Sequence, residues 1–332
     1  MAFHSFTKVA LAVPMALSAL TLGNPATVRA QHAPFRTGVD MVALTVTVTD
    51  GAGKHITGLT GNDFTVFEDG AQQPLSFFAS EKVPVDVALV IDASASMRPD
   101  LPLVQKAACG LIRTLRAFDR GAVVEVKTAI RIPQPLTFDH AQVEATIRGL
   151  TASGTTALYD GLYMMLKEFE RAQRGNPEVR RQVLILLSDG LDTTSHLPFD
   201  EVMELVRRLG VNIYVIALRG EAARVPRSEQ HETLLQADYS LRAVAREAGG
   251  RAFFPTTAAE LPTIYGAIAQ ELASQYELGY VPVKPGGDGT FRRVFVRLAP
   301  TTNANARTRS GYYAERSGNR SALATPTSSE PQ

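Results

Sequence analysis

The chain has 332 residues, enough for roughly two domains, and 45% hydrophobic with 20% charged residues excludes wholesale disorder and fibrous repeats. Its 34 basic and 33 acidic residues leave a formal charge of +1 with no basic block, which excludes an electrostatic footprint for nucleic acid. The one cysteine, Cys109, supports neither an intrachain disulfide nor a cysteine-based metal cluster.

Residues 1–30 contain no acid; Lys8 precedes the apolar stretch Val9–Leu22, broken at Pro14, and Val28-Arg29-Ala30 follows a polar segment. This is the pattern of a secretory signal peptide, with cleavage expected after Ala30. A membrane span needs about 20 apolar residues, and neither this stretch nor any later one reaches that length. The expectation is an exported chain, periplasmic or extracellular, with no membrane span in its mature form. In an oxidising compartment Cys109, set in an apolar helical pattern, reads as a buried inert thiol.

Residues 31–82 read as a small β-rich domain. Val42, Leu44, Val46 and Val48 alternate with threonines, the period of a half-buried strand. Phe64-Thr65-Val66-Phe67 and Leu75-Ser76-Phe77-Phe78 flank Asp69-Gly70 as a predicted hairpin. So short a unit buries little core alone and is expected to dock on a larger one.

Over residues 83–275 the pattern changes to α/β. Val85–Ile91, Ala122–Val126, Val183–Leu187 and Ile213–Leu218 are nearly continuous apolar runs. Helical periods lie between and after them: Val104, Ala108, Leu111, Leu115 and Phe118; Leu158, Leu162, Met165 and Phe169; Val202, Leu205, Val206 and Leu209; and Leu241, Val244, Ala245 and Ala248, stopped at Gly249-Gly250. Thr257-Ala258-Ala259-Glu260 is a capping box opening a last helix. Such alternation predicts βαβ units around a mostly parallel, doubly wound sheet covered on both faces. Residues 276–314 return to strands, with Tyr276–Tyr280 and Val294–Leu298 read as a C-terminal β hairpin that completes the N-terminal β unit. Residues 315–332 are rich in Ser, Pro and Thr and are expected to be disordered.

One constellation carries chemistry. The first buried run ends Asp92-Ala93-Ser94-Ala95-Ser96, a D-x-S-x-S pattern at the carboxyl end of a strand, where ligands bind in open parallel sheets. A second strand ends Ser188-Asp189-Gly190, and the hydroxyl-rich loop Ser153-Gly154-Thr155-Thr156 leads into a helix. Three loops from one sheet edge thus offer Asp92, Ser94, Ser96, a threonine and Asp189. Oxygen-only donors suit a hard cation such as Mg²⁺ or Ca²⁺ rather than Zn²⁺.

These three segments resemble the metal-ion-dependent adhesion site of von Willebrand factor type A domains. The resemblance matches Asp92, Ser94 and Ser96 to that site's first element and Asp189 to its final acid. Counting back from Tyr159-Asp160-Gly161 matches Thr156 to its threonine, with Thr155 as the alternative. It implies a Rossmann-like sheet with one antiparallel strand and flanking helices. It also implies a bound Mg²⁺, Mn²⁺ or Ca²⁺ that takes an exposed Glu or Asp of a protein partner at an open position. Gly58–Phe64, Phe67-Glu68-Asp69-Gly70 and Ser274–Tyr280 further resemble secreted bacterial proteins related to this family, in which the type A domain sits between small β regions.

Other polar residues have plainer readings. Asp160 complements a helix N-terminus, and Asp192, Thr193 and Thr194 form a turn or cap. His140 and His196 read as solvated, Arg180-Arg181 and Arg207-Arg208 as exposed faces, and Tyr312-Tyr313 as strand packing. Enzyme readings lack their parts: Ser94 stands where a haloacid-dehalogenase-type phosphatase needs an Asp, and no G-x-S-x-G, P-loop or H-E-x-x-H motif occurs. The leading expectation is a secreted, non-enzymatic adhesion module with a metal-mediated acidic partner. A metal-independent envelope assembly module comes second and a metal-assisted phosphohydrolase third.

Overall fold

Alternating and continuous apolar runs fold into different layers. The computed structural model describes residues 41–80, 83–174, 180–189, 192–219, 229–284 and 288–314. The expected signal peptide, the expected tail and Pro285-Gly286-Gly287 lie outside the described residues. Four short strands come first: β1 (Val42–Thr49), β2 (Phe64–Glu68), β3 (Ala71–Gln73) and β4 (Leu75–Ala79). The α/β part follows with β5 (Val85–Asp92), α1 (Leu101–Ile112), β6 (Arg120–Val126), β7 (Arg131–Thr137), α2 (His140–Gly149), α3 (Leu158–Arg174), β8 (Arg181–Ser188), α4 (Phe199–Leu209), β9 (Asn212–Ala217), α5 (Glu229–Glu247), β10 (Ala252–Phe253) and α6 (Leu261–Ser274). The described chain closes with β11 (Tyr276–Tyr280), β12 (Phe291–Leu298), β13 (Asn305–Arg307) and β14 (Gly311–Tyr313).

The central sheet has the order β10-β9-β8-β5-β6-β7. Its pairings are parallel except β6 with β7. β7 is an edge strand carrying Pro133 and Pro135, residues that an interior strand does not tolerate. Every residue of β5 is buried, and its alternation divides two cores. Val85, Val87, Leu89 and Ile91 pack with α1, α2 and α6, whereas Ala88 and Val90 pack with α3, α4 and α5. The acid in this apolar strand, Asp86, is 1% exposed. It is neutralised by Arg120 at 2.5 Å and Arg180 at 2.7 Å.

The terminal β strands form two four-stranded sheets, β13-β1-β11-β4 and β14-β12-β2-β3. Leu44, Val46, Phe64, Val66, Tyr276, Leu278, Tyr280 and Val294 share one core between them. This sandwich takes strands from both ends of the described chain; Leu44 faces Leu278 and Val66 faces Val296. Two expected hairpins are therefore corrected. β11 and β12 lie in different sheets, not paired with each other. Asp69-Gly70 joins β2 to the short β3, after which Pro74 interrupts the strand and β4 crosses to pair with β11. The helix expected to run through Phe118 ends at Ile112 instead. The Asp119 carboxylate takes the N–H groups of Arg116 and Val85, each at 2.9 Å, and holds a turn there.

A buried polar network joins the sandwich to the α/β part. Glu271 of α6 is 1% exposed. It accepts hydrogen bonds from Tyr214 (2.6 Å), Thr47 (3.3 Å) and the Arg307 guanidinium. Gln275 donates to Thr47 and Tyr214 and accepts from Arg181 at 2.9 Å. Glu277 accepts from Thr45 at 2.9 Å and lies 3.6 Å from Arg181. Arg180 and Arg181 are thus neutralising and bridging groups rather than exposed faces. The pattern of charge in the sequence hid this because their acids lie about 90 residues away. Gly250 also belongs to this junction, since its carbonyl accepts from the Arg307 guanidinium, and a Cβ there would stand 2.0 Å from the Ile213 carbonyl oxygen.

Candidate functional site

The chain order of the central sheet reverses beside β5 and β8, so their carboxyl ends flank a crevice where ligands bind in such sheets. Asp92 is the last residue of β5, and the Ile91–Leu187 pairing puts Ser188 beside it. The Asp92 carboxylate accepts the Ser94 N–H at 2.8 Å on Oδ1 and the Ser188 hydroxyl at 2.7 Å on Oδ2. The hydroxyls of Ser94 and Ser96 are 3.0 Å apart. Backbone bonds dock the second loop on the first: Ser153 N–H donates to the Ala93 carbonyl (2.8 Å) and Ala95 N–H to that of Gly154 (3.0 Å). Gly154 is required here. Its φ is +76°, and a Cβ would meet the Thr128 hydroxyl at 2.6 Å.

The two candidate threonines differ. The Thr155 hydroxyl is shared between Thr128 (3.0 Å) and Thr194 (3.1 Å). Thr156 is 4% exposed, and its hydroxyl makes no hydrogen bond among the described residues. Its backbone is strapped by the 192–195 loop, with Thr193 and Thr194 N–H groups on its carbonyl at 2.9 and 3.1 Å. The same loop caps α3. Asp192 accepts the Leu158 N–H at 2.7 Å, and the Ser195 hydroxyl accepts that of Tyr159 at 3.0 Å. The helix entry beneath Thr156 is therefore held from a segment more than 30 residues downstream.

Of the five residues singled out, Ser96 is exposed and Asp189 half-buried. Asp92, Ser94 and Thr156 lie beneath them at 0%, 2% and 4% exposure. Burial pushes the Asp92 carboxyl up from its ordinary value; the Ser188 and Ser94 hydrogen bonds oppose this, and the Asp189 charge adds to it. No Lys, Arg or His pairs with Asp92 among the described residues, and a buried carboxylate without a cation is costly. No group of three or more His, Cys, Asp or Glu able to hold a metal exists among the described residues. The donors here are two carboxylates and three hydroxyls, all oxygen. Such a set fits a hard divalent ion, because each carboxylate oxygen keeps a lone pair beyond the bond it already accepts.

The neighbourhood holds residues that sequence reasoning did not single out. Ser188 reads in the sequence only as part of a strand end, although its place beside Asp92 follows from parallel pairing. Arg219, 7% exposed, donates to the Asp189 carbonyl and to the Asp238 carboxylate; an isolated Arg after a strand gives no signal of this. Asp160 accepts the Leu197 N–H at 3.0 Å and the His196 backbone N–H on both its oxygens at 3.1 and 3.2 Å, so it ties down a loop rather than serving the helix dipole alone. His140 is half-buried, its ring nitrogen 3.0 Å from the Asp119 carbonyl. Cys109 is 3% exposed and lies in the α1 core.

The family model described as von Willebrand factor type A domain matches residues 86–267, more than half of the chain. No curated protein sequence matches. Among solved structures, a von Willebrand factor type A protein from Catenulispora acidiphila is 15% identical, with 85% of this chain and 75% of that one covered and a TM-score of 0.46. The vWF domain of the type V pili tip protein Mfa5 from Porphyromonas gingivalis is 17% identical over 57% of this chain and 95% of its own, at 0.45. The hypothetical protein BatB from Bacteroides thetaiotaomicron is 14% identical over 57% and 97%, at 0.44.

Proposed function

The chain belongs to the von Willebrand factor type A domain family, a family of protein-interaction modules, and on that premise we propose that it is a secreted, non-enzymatic adhesion protein whose divalent cation takes an acidic group of a protein partner. Asp92, Ser94, Ser96, Thr156 and Asp189 would hold the ion, Mg²⁺ in the first instance, with Mn²⁺ or Ca²⁺ as alternatives. The observation that carries the reading is the convergence of three hydroxyl and carboxylate segments at the sheet's reversal point, with Asp92 buried and without a cationic partner among the described residues. When bound, the ion supplies an electrophilic open position. The chain's own part is to orient the donors: Ser188 and the Ser94 N–H fix the Asp92 carboxylate, and Gly154 lets the threonine loop approach. Export is proposed from the pattern of residues 1–30; no helix among the described residues is long and apolar enough to cross a membrane.

Calorimetry with Mg²⁺, Mn²⁺ and Ca²⁺ tests the proposal. Wild type should bind one ion, and Asp92→Ala and Thr156→Val should lose it while keeping their circular dichroism. Equal heats from wild type and Asp92→Ala would end the metal reading. One observation favours the metal-free alternative: Phe67 and Phe295 stack at 4.6 Å on the sandwich, with Phe295 43% exposed. Partner capture that survives EDTA but fails in Phe295→Ala would select it.

A further inference from the structure

Helix α5 carries a second surface beside this edge. Leu241, Val244, Ala245 and Ala248 turn inward and are buried. Leu235, Tyr239, Arg242 and Arg246, spaced by four, three and four, share the opposite face, and all four are exposed. Leu235 is 55% and Tyr239 67% exposed, so the core does not account for them. Single exposed apolar residues are ordinary, but this set is aligned over roughly 16 Å of helix. It also carries a local cost. Arg242 and Arg246 stand one turn apart, where like charges repel. Neither has a carboxylate partner among the described residues, whereas Arg207, Arg208, Arg219 and Arg251 nearby all do. The Phe254 ring, 3.8 Å from the Arg242 guanidinium, pre-orders that side chain.

The stripe is continuous with the candidate metal edge. Asp238, next to Tyr239, pairs with Arg219, and the same guanidinium donates to the carbonyl of Asp189. Arg219 is buried and lies 5.4 Å over the same Phe254 ring. One guanidinium thus holds the helix face against the strand end that supplies the second acid.

We propose that the face of Leu235, Tyr239, Arg242 and Arg246 is the second half of the partner's footprint, taking an acidic stretch of the same protein whose carboxylate reaches the cation. The inference rests on the metal-edge reading and adds where the partner extends. Tyr239 and Leu235 are its apolar anchors, and the two guanidiniums meet carboxylates. Tyr and Arg are the residues in which binding energy concentrates, and two cations without a carboxylate partner among the described residues, at one end of the footprint, select for acid in the partner.

The probe is a phage-displayed library of 20-residue peptides, each with one fixed central Glu, panned on the full chain in Mg²⁺. Selected peptides should carry additional Asp or Glu and an aromatic or aliphatic residue to one side of the fixed Glu. Tyr239→Ala should weaken them about ten-fold, and Arg242→Glu with Arg246→Glu by ten-fold or more, with Mg²⁺ affinity unchanged. Binding within two-fold of wild type in these variants overturns the proposal, as does a library that yields no binder. EDTA separates the two readings. If it abolishes binding while the α5 variants bind normally, this surface falls and the metal edge stands. If the α5 variants lose binding that EDTA leaves intact, the surface stands and the metal edge falls.

Discussion

Replacing Glu271 should loosen the sandwich from the α/β part. The carboxylate is 1% exposed and is the acceptor for the Tyr214 hydroxyl, itself 0% exposed, and for Thr47 at 2%. In Glu271→Ala both hydroxyls lose a buried acceptor, at about 1–3 kcal/mol for each group left unsatisfied. Arg307 also loses its carboxylate, but its side chain is 32% exposed and recovers water, so its share is discounted to at most about 1 kcal/mol. Gln275 still bonds the Tyr214 oxygen, which limits the loss. The expected total is about 3–5 kcal/mol, the usual cost of breaking a buried charged contact from one side. Glu271→Gln keeps the oxygen that Tyr214 and Thr47 use and loses only the charge, so about 1–2 kcal/mol is expected. Urea denaturation followed by circular dichroism suits a chain with no Trp. At about 2 °C per kcal/mol for a unit of this size, the Ala variant should melt roughly 6–10 °C lower. An Ala variant within about 1 kcal/mol of wild type, or a Gln variant as damaged as Ala, would refute the account of Glu271 as a shared acceptor.

Two more predictions concern the same junction. Burial pushes the Glu277 carboxyl up to about 7, against the attraction of Arg181 and the Thr45 hydrogen bond. A folded value above the unfolded one means stability present below about pH 4.5 and lost as pH rises through 7, of order 3 kcal/mol. Glu277→Gln should flatten that decline, so its urea midpoint should exceed wild type at pH 8 and equal it near pH 4.5; a lower midpoint at pH 8 contradicts the sign. Gly250→Ala should cost about 3 kcal/mol, because the Cβ meets strand backbone at 2.0 Å. Gly210→Ala should cost only about 1 kcal/mol, since its φ is +68° and the atom it meets, Nη1 of Arg309, ends a flexible side chain. Equal denaturation midpoints for the two variants would show that backbone proximity is not what Gly250 relieves.

The layers were legible where apolar period decides them. Val85–Ile91 and Val183–Leu187 read as doubly buried strands, and Leu158, Leu162, Met165 and Phe169 as one helix face, because hydrophobic spacing is local. Pairing partners are not local. Tyr276–Tyr280 and Val294–Leu298 alternate equally well whether they pair with each other or with β1 and β2, so a hairpin was the shortest connection and the wrong one. The candidate site followed the same division. Asp92, Ser94 and Ser96 lie within five residues and could be read together, and their strand-end position came from the run before them. Arg219 and Ser188 touch this region only through pairing and a side chain reaching Asp189, which no spacing encodes. Arg180 and Arg181 look like surface charge until Asp86 and Gln275, far along the chain, are brought against them.

The sandwich has a consequence for the order of synthesis. Val42 pairs with Tyr280 and Thr47 with Arg307, so β1 emerges on the ribosome with no partner until β11 and β13 have been made. The intervening unit, whose six strands pair only among themselves, is free to fold during that wait, and closure of the two terminal sheets becomes the last step. Until then β1 exposes an unpaired edge of alternating Val and Thr, and it is in this interval that a nascent chain is most open to capture by chaperones or to strand exchange with a neighbour.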